Sequence, residues 1–159
     1  MSSMNPKVRV VIVDDHTLFR EGLRTILGME DNIEVVADAE SAEDIVELVW
    51  QTRPDVLLLD IRMPQGSGLD AVPAVLKISP NTHVLVLTAC DEKEEHVRAF
   101  KLGAKGVILK DSARQTLMQA IHAVCAGQVW VDVVNNFGQH RQLDTLRARY
   151  SSAKSVEHV

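Results

Sequence analysis

Five short apolar runs recur along the first 110 residues, each stopping at or just before a polar residue and each followed by a stretch of helical character. Val8 to Val13 stops on Asp14-Asp15, and Leu18, Phe19, Leu23, Ile26 and Leu27 then share one face of a predicted helix. Ile33 to Ala37 is the second strand candidate, and Ser41 with Asp44 forms a capping pattern for a helix through Trp50. Pro54 ends that helix, and the apolar run Val56 to Leu59, suited to a strand buried on both faces, stops on Asp60. Ile61 to Gly68 reads as a loop, Leu69 to Ile78 as a helix with Pro73 near its first turn, and His83 to Leu87 as a fourth strand stopping at Thr88. Asp91 to Leu102 is a charged helix closed by Gly103, Gly106 to Leu109 a fifth strand stopping at Lys110, and Ser112 to Cys125 a last helix closed by Gly127. Strict alternation of strand and helix implies a parallel sheet with helices on both faces, because each parallel crossover is right-handed and long enough to hold a helix. The fold class is therefore doubly wound α/β.

At 159 residues the chain has room for one domain and a tail. With 46% hydrophobic and 25% charged residues it is globular in composition, and no window approaches the roughly 20 apolar residues of a membrane span. Met1 to Lys7 lacks the apolar core of a signal peptide, so a cytoplasmic location without membrane contact is expected. Cys90 and Cys125 stand without a second thiol or histidine at metal-ligand spacing. Charge is uneven: residues 1–137 carry 13 basic and 20 acidic side chains, residues 138–159 four and two. Such an acidic body is a poor surface for nucleic acid.

Ligands of an open α/β sheet bind beyond the carboxyl ends of its strands. There the chain delivers Asp14, Asp15, Asp60, Thr88 and Lys110 from four separate segments. Three carboxylates repel one another unless a cation joins them, and magnesium takes a few carboxylates, a backbone carbonyl and retained waters. A carboxylate oxygen of Asp60 can then attack phosphorus in line, with Lys110 and Thr88 holding the phosphoryl oxygens.

The segments Val-Ile-Val-Asp-Asp-His (11–16), Leu-Leu-Leu-Asp-Ile-Arg-Met-Pro (57–64) with Gly66 and Gly68, Val-Leu-Thr-Ala (86–89) and Gly-Ala-Lys-Gly-Val-Ile-Leu-Lys-Asp (103–111) together resemble the receiver domain of two-component response regulators. Each is weak alone; in this order at the strand ends they are specific. The resemblance covers roughly residues 7 to 127, and implies a flavodoxin-like (βα)5 fold whose five-stranded parallel sheet has the order 2-1-3-4-5. It makes Asp60 the phosphoacceptor, Asp15 a direct magnesium ligand, Asp14 a ligand through water and the backbone carbonyl of Arg62 a further ligand. Thr88 and Lys110 match the phosphoryl-sensing hydroxyl and the charge-pairing lysine. His16, Thr17, Asp111 and the closing segment 126–131 are most similar to the NarL/FixJ subfamily. That likeness implies a sensor histidine kinase as donor, homodimerisation through the first and last helices, and control of transcription through a LuxR-type helix-turn-helix domain.

Other readings stand beside these. Asp15 can cap the first helix, Asp60 and Lys110 can be solvated strand ends, and Thr88 can be turn chemistry. His16, His83, His96 and His122 share no metal spacing and read as surface or boundary residues. The Glu92, Glu94 and Glu95 cluster reads as a solvated helix face. An aspartyl-phosphate phosphatase lacks its second acid, since His16 stands two residues after Asp14, and a flavin phosphate would be repelled by Asp14-Asp15. The alternative function is a receiver-like binding module that signals without phosphorylation.

The chain also departs from the family. Val107 occupies the position where many receivers have a switching aromatic residue, and Asp111 that of a cis proline, so a trans bond is expected there. Arg62 and Cys90 flank the phosphoryl position without a carboxylate or amide to orient water, which implies slow self-dephosphorylation. Residues 1–6 are expected to be extended or disordered, and 128–159 a linker and tail with one helix at 139–150. About 30 residues are too few for the helix-turn-helix domain, so the chain reads as a truncated piece or a receiver without its own output.

Overall fold

A computed structural model describes residues 6–63, 66–89, 92–112, 114–134 and 140–142; at 62–63, 66–67, 132–134 and 140–142 only the backbone is described. The elements follow in the order β1 (Val8–Val13), α1 (Thr17–Gly28), β2 (Ile33–Ala39), α2 (Ile45–Thr52), β3 (Val56–Asp60), β4 (Arg62–Met63), β5 (Gly66–Ser67), α3 (Val72–Ile78), β6 (His83–Thr88), α4 (Lys93–Leu102), β7 (Gly106–Leu109), α5 (Arg114–Cys125), β8 (Trp130–Val134) and β9 (His140–Gln142). Single 3-10 turns at Ala42–Asp44 and Gly68–Ala71 lead into α2 and α3. Ser41 does cap, but its hydroxyl accepts from Glu43 N in the 3-10 turn rather than at the start of α2.

The sheet runs β2-β1-β3-β6-β7-β8-β9. Its first five strands are the five foreseen, parallel and in the expected order. Two further strands correct the expectation of a five-stranded sheet. β8 pairs parallel with β7 through Gly106–Trp130 and Val107–Val131, and β9 returns antiparallel to β8. The segment from 128 onward therefore begins with a strand of the same sheet. Gln128-Val129-Trp130-Val131 is aromatic and β-branched, and it reaches an edge of β7 that would otherwise present unpaired peptide groups. Most of the helix foreseen at 139–150 lies outside the described residues. Its described part, His140–Gln142, is extended and paired, because β8 offers a free ladder edge.

Alternation along the buried strands divides the apolar side chains between the two sheet faces. Val11, Val13, Leu57, Leu59, Val84 and Val86 pack with residues of α2, α3 and α4 such as Val49, Val75 and Phe100. Val10, Ile12, Leu58, Leu85 and Ile108 pack on the other face with Leu23 and Leu27 of α1 and Leu117, Ile121 and Val124 of α5. The loop that follows α1 is tied to α5 by Arg114 to Glu30 at 2.6 Å and by a contact of Asn32 with His122 at 3.3 Å. Leu18 departs from the apolar face assigned to it and is 86% exposed.

Helix α4 ends where foreseen. Gly103 has φ +116°, a left-handed conformation that favours glycine, and an added Cβ would also push aside the end of Leu76, 2.4 Å away. No cis peptide occurs among the described residues, in agreement with the trans bond expected before Asp111.

Candidate functional site

The sheet order puts β1 next to β3 and separates β3 from β7 by β6 alone, which brings the ends of three strands together. Asp14 follows β1 and is fully buried; its backbone N–H still donates to Ala39 O at 3.0 Å, so ladder pairing with β2 holds it. Arg20, one turn into α1, donates to the Asp14 carbonyl and pairs with Asp38 at 3.3 Å. Asp60 closes β3, 2% exposed, in register with Leu87 of β6. Lys110 follows β7, with its N–H bonded to Thr88 O at 2.8 Å.

These backbone positions bring the charged groups into contact. Lys110 Nζ lies 3.2 Å from Asp60 Oδ2, to which it donates a hydrogen bond, and 2.8 Å from Asp14 Oδ2. The second contact lacks hydrogen-bond angles, so it is Coulombic, and Asp14 Oδ2 has no hydrogen-bond partner. The ammonium also sits 4.8 Å from the centroid of the Phe19 ring, a cation–π contact that fixes the lysine stem against α1.

The turn from β1 into α1 adds a fourth group. His16 N donates to Asp14 Oδ1 at 2.8 Å, and His16 Nδ1 lies 3.1 Å from Asp14 Oδ1, 3.3 Å from Asp15 Oδ1 and 3.7 Å from Asp60 Oδ2. Lys110 Nζ is 3.0 Å from the same nitrogen. One ligand atom each from Asp14, Asp15, His16 and Asp60 lies within 4.8 Å of the others.

Asp14, Asp15, Asp60 and Lys110 thus meet as the sequence implied. Thr88 ends β6 at the same edge, fully buried, one residue beyond Asp60's register partner. The backbone of Arg62 lies in β4, two residues past Asp60; its side chain and the whole of Cys90 fall outside the described residues. His16, Phe19 and Arg20 were not singled out for the site. Their only advance signal was position, immediately after an acid pair at a strand-to-helix turn.

Gly68 shapes the floor of the site. A Cβ there would stand 2.7 Å from the Asp60 carbonyl oxygen and 2.8 Å from Leu59 Cδ1, so the loop after β3 can fold back on the acid only with glycine.

The donor set suits a divalent cation. Asp14 Oδ2 and Asp15 Oδ1 are buried oxygens without hydrogen-bond partners, and carboxylate oxygens are the ligands that hard cations take. Of the described residues, no helix is long and apolar enough to cross a membrane.

The model of the response regulator receiver domain matches residues 10–122. The transcriptional regulatory protein DegU of Brevibacillus brevis is 42% identical over 125 residues, covering 79% of this chain and 53% of DegU. The oxygen regulatory protein NreC of Staphylococcus epidermidis strain ATCC 35984 is 39% identical over 144 residues, covering 86% of this chain and 66% of NreC. The chain thus spans about half to two thirds of the length of these relatives. Among solved structures, the signal receiver domain of NarL from Mycobacterium tuberculosis superposes with a TM-score of 0.73 at 39% identity, over 77% of this chain and 99% of that one. A LuxR-family two-component response regulator from Aurantimonas sp. SI85-9A1 gives 0.75 at 27% identity, over 94% of this chain and 99% of that one. The matched stretch contains every strand end that contributes to the acidic cluster, and this chain belongs to the response regulator receiver domain family.

Proposed function

We propose that the chain is a phosphorylation-controlled switch in which Asp60 accepts a phosphoryl group from the phosphohistidine of a sensor kinase. The observation that carries this reading is the Lys110 ammonium held 3.2 Å from Asp60 Oδ2 and 2.8 Å from Asp14 Oδ2. An Asp60 oxygen attacks phosphorus, the N–P bond of the donor breaks, and the departing imidazole keeps the electron pair and is protonated from solvent. Lys110 then turns its charge to the phosphoryl oxygens and Thr88 offers them its hydroxyl. Asp14, Asp15, Asp60 and the Arg62 carbonyl would hold magnesium, with Asp14 acting through water. Bound magnesium supplies positive charge against the equatorial oxygens of a loose transition state.

Location in the cytoplasm, homodimerisation through α1 and α5, and transcriptional control through a DNA-binding domain outside this chain complete the proposal. It is supported by the names of DegU and NreC, by the apposition of α1 and α5 on one sheet face, and by the exposed Leu18 on α1. Incubation with magnesium and acetyl phosphate should add about 80 Da to the wild type and nothing to Asp60→Asn. A wild type that gains no mass overturns the phosphoacceptor reading.

A further inference from the structure

His16 does more than border the acidic cluster. Its side chain is 63% exposed, yet Nδ1 faces inward toward three carboxylates and an ammonium. The ring nitrogen cannot donate to a carboxylate and accept from Lys110 at once, because an ammonium has donors only. Asp14 Oδ1 already receives the His16 backbone N–H at 2.8 Å. Metal binding at Nδ1 requires the tautomer with its proton on the outer Nε2, in which the Nδ1 lone pair faces the cluster and can accept from Lys110. Lys110 Nζ then touches Nδ1 at 3.0 Å, Asp14 Oδ2 at 2.8 Å and Asp60 Oδ2 at 3.2 Å, so a cation already sits against one nitrogen and two carboxylates.

The spacings also suit a metal. Octahedral bonds of about 2.1 Å place adjacent ligand atoms about 3 Å apart and opposite ones about 4.2 Å apart. Nδ1 stands 3.1 and 3.3 Å from oxygens of Asp14 and Asp15, and the whole set spans at most 4.8 Å, near those spacings; an ion entering it replaces the Lys110 ammonium, which touches the same groups. Asp14 is fully buried and its Oδ2 accepts no hydrogen bond, with the Lys110 charge 2.8 Å away, so a water on an ion that replaces the ammonium can donate to it.

We infer that His16 is a nitrogen ligand of the cation site and biases it from magnesium toward first-row divalent transition ions such as manganese(II) and cobalt(II). Imidazole suits these ions, whereas magnesium keeps oxygen ligands and water. This rests on the metal-binding reading given above and specifies which ions that site prefers.

The test uses the full chain with the metals alone. In the wild type, pulsed electron paramagnetic resonance of bound manganese(II) should show nitrogen-14 coupling, and the coupling should vanish in His16→Ala. Calorimetric titration should show the manganese-to-magnesium affinity ratio falling about tenfold or more in His16→Ala, the scale on which metal sites respond to lost ligand-shell groups. Magnesium affinity itself should change less than manganese affinity. Manganese bound by the wild type without nitrogen coupling overturns the inference and leaves the acidic site intact, whether or not the variant folds. A wild type that binds neither ion overturns the metal reading on which the inference depends, and the inference with it.

Discussion

The ammonium of Lys110 stands 3.2 Å from Asp60 Oδ2, joining the ends of two strands, β3 and β7, that are separated by β6. It is also 2.8 Å from fully buried Asp14, so two desolvated carboxylates share its charge. Lys110→Met should lower the free energy of unfolding by about 1–3 kcal/mol, the range for leaving a buried polar group unserved. Millimolar magnesium should recover part of the loss, because an ion that binds only the folded state stabilises it by mass action. Urea unfolding with and without magnesium checks both. A variant as stable as the wild type in metal-free buffer would show that the ammonium does not offset acid repulsion.

Gly68→Ala probes the loop behind the acid. The new methyl carbon would lie 2.7 Å from the Asp60 carbonyl oxygen, a backbone atom that cannot rotate away. Overpacking of this kind costs about 1–3 kcal/mol. Since the displaced atom belongs to Asp60 itself, labelling by acetyl phosphate should slow more than in a variant of equal stability altered far from the site.

His83 links stability to pH. Burial above all, and then the charge of Lys105, hold its pKa below the ordinary 6.5, while Asp55 pulls it upward. Its backbone N–H donates to Asp55 O at 2.8 Å, anchoring the start of β6. The unfolded chain binds this proton more readily than the folded one, so the stability from neutral His83 is fully present above pH 6.5 and is lost as pH falls through the depressed folded value. His83→Gln should flatten that part of the urea-midpoint profile between about pH 7 and pH 5. Parallel profiles for the two proteins would refute it.

Trp130 tests the added strand. It is 6% exposed and packs in the layer beneath α1 and α5, yet its Nε1 has no hydrogen-bond partner. Trp130→Ala should cost about 3–5 kcal/mol. Trp130→Phe keeps the apolar contact and removes no hydrogen bond, so its cost should stay below about 1.5 kcal/mol. Equal losses in thermal or urea unfolding would show that the indole nitrogen matters.

The central strands were legible because they are buried on both faces, and an unbroken Val-Leu-Leu-Leu run has few other places to go; β2, at the sheet edge and only partly buried, was legible as a short apolar run between two helical stretches. The acid cluster was legible for a related reason: Asp14, Asp60 and Lys110 each follow such a run, so strand order alone brings them together. β8 was missed because Trp130–Val134 pairs with the β7 edge, a tertiary cause that local pattern does not carry. His16 was read as a surface or boundary residue because it shares no metal-ligand spacing with another histidine; its side chain is exposed, yet Nδ1 lies 3.1 Å from Asp14 Oδ1, a proximity that only the fold reveals. Leu18 fitted the helical period but lies in the first turn of α1, and it remains in solvent.

Val107, in the place of an aromatic reporter, is fully buried and paired on one side with Val86 and on the other with Val131 of β8. It belongs to the strand that ends just before Lys110. Under the proposed function, a movement of that strand would be passed sideways through a ladder of peptide hydrogen bonds to a neighbour about 4.8 Å away. Trp130 and Val131 thus share a ladder with the strand that leads into Lys110, a backbone connection that needs no swinging side chain.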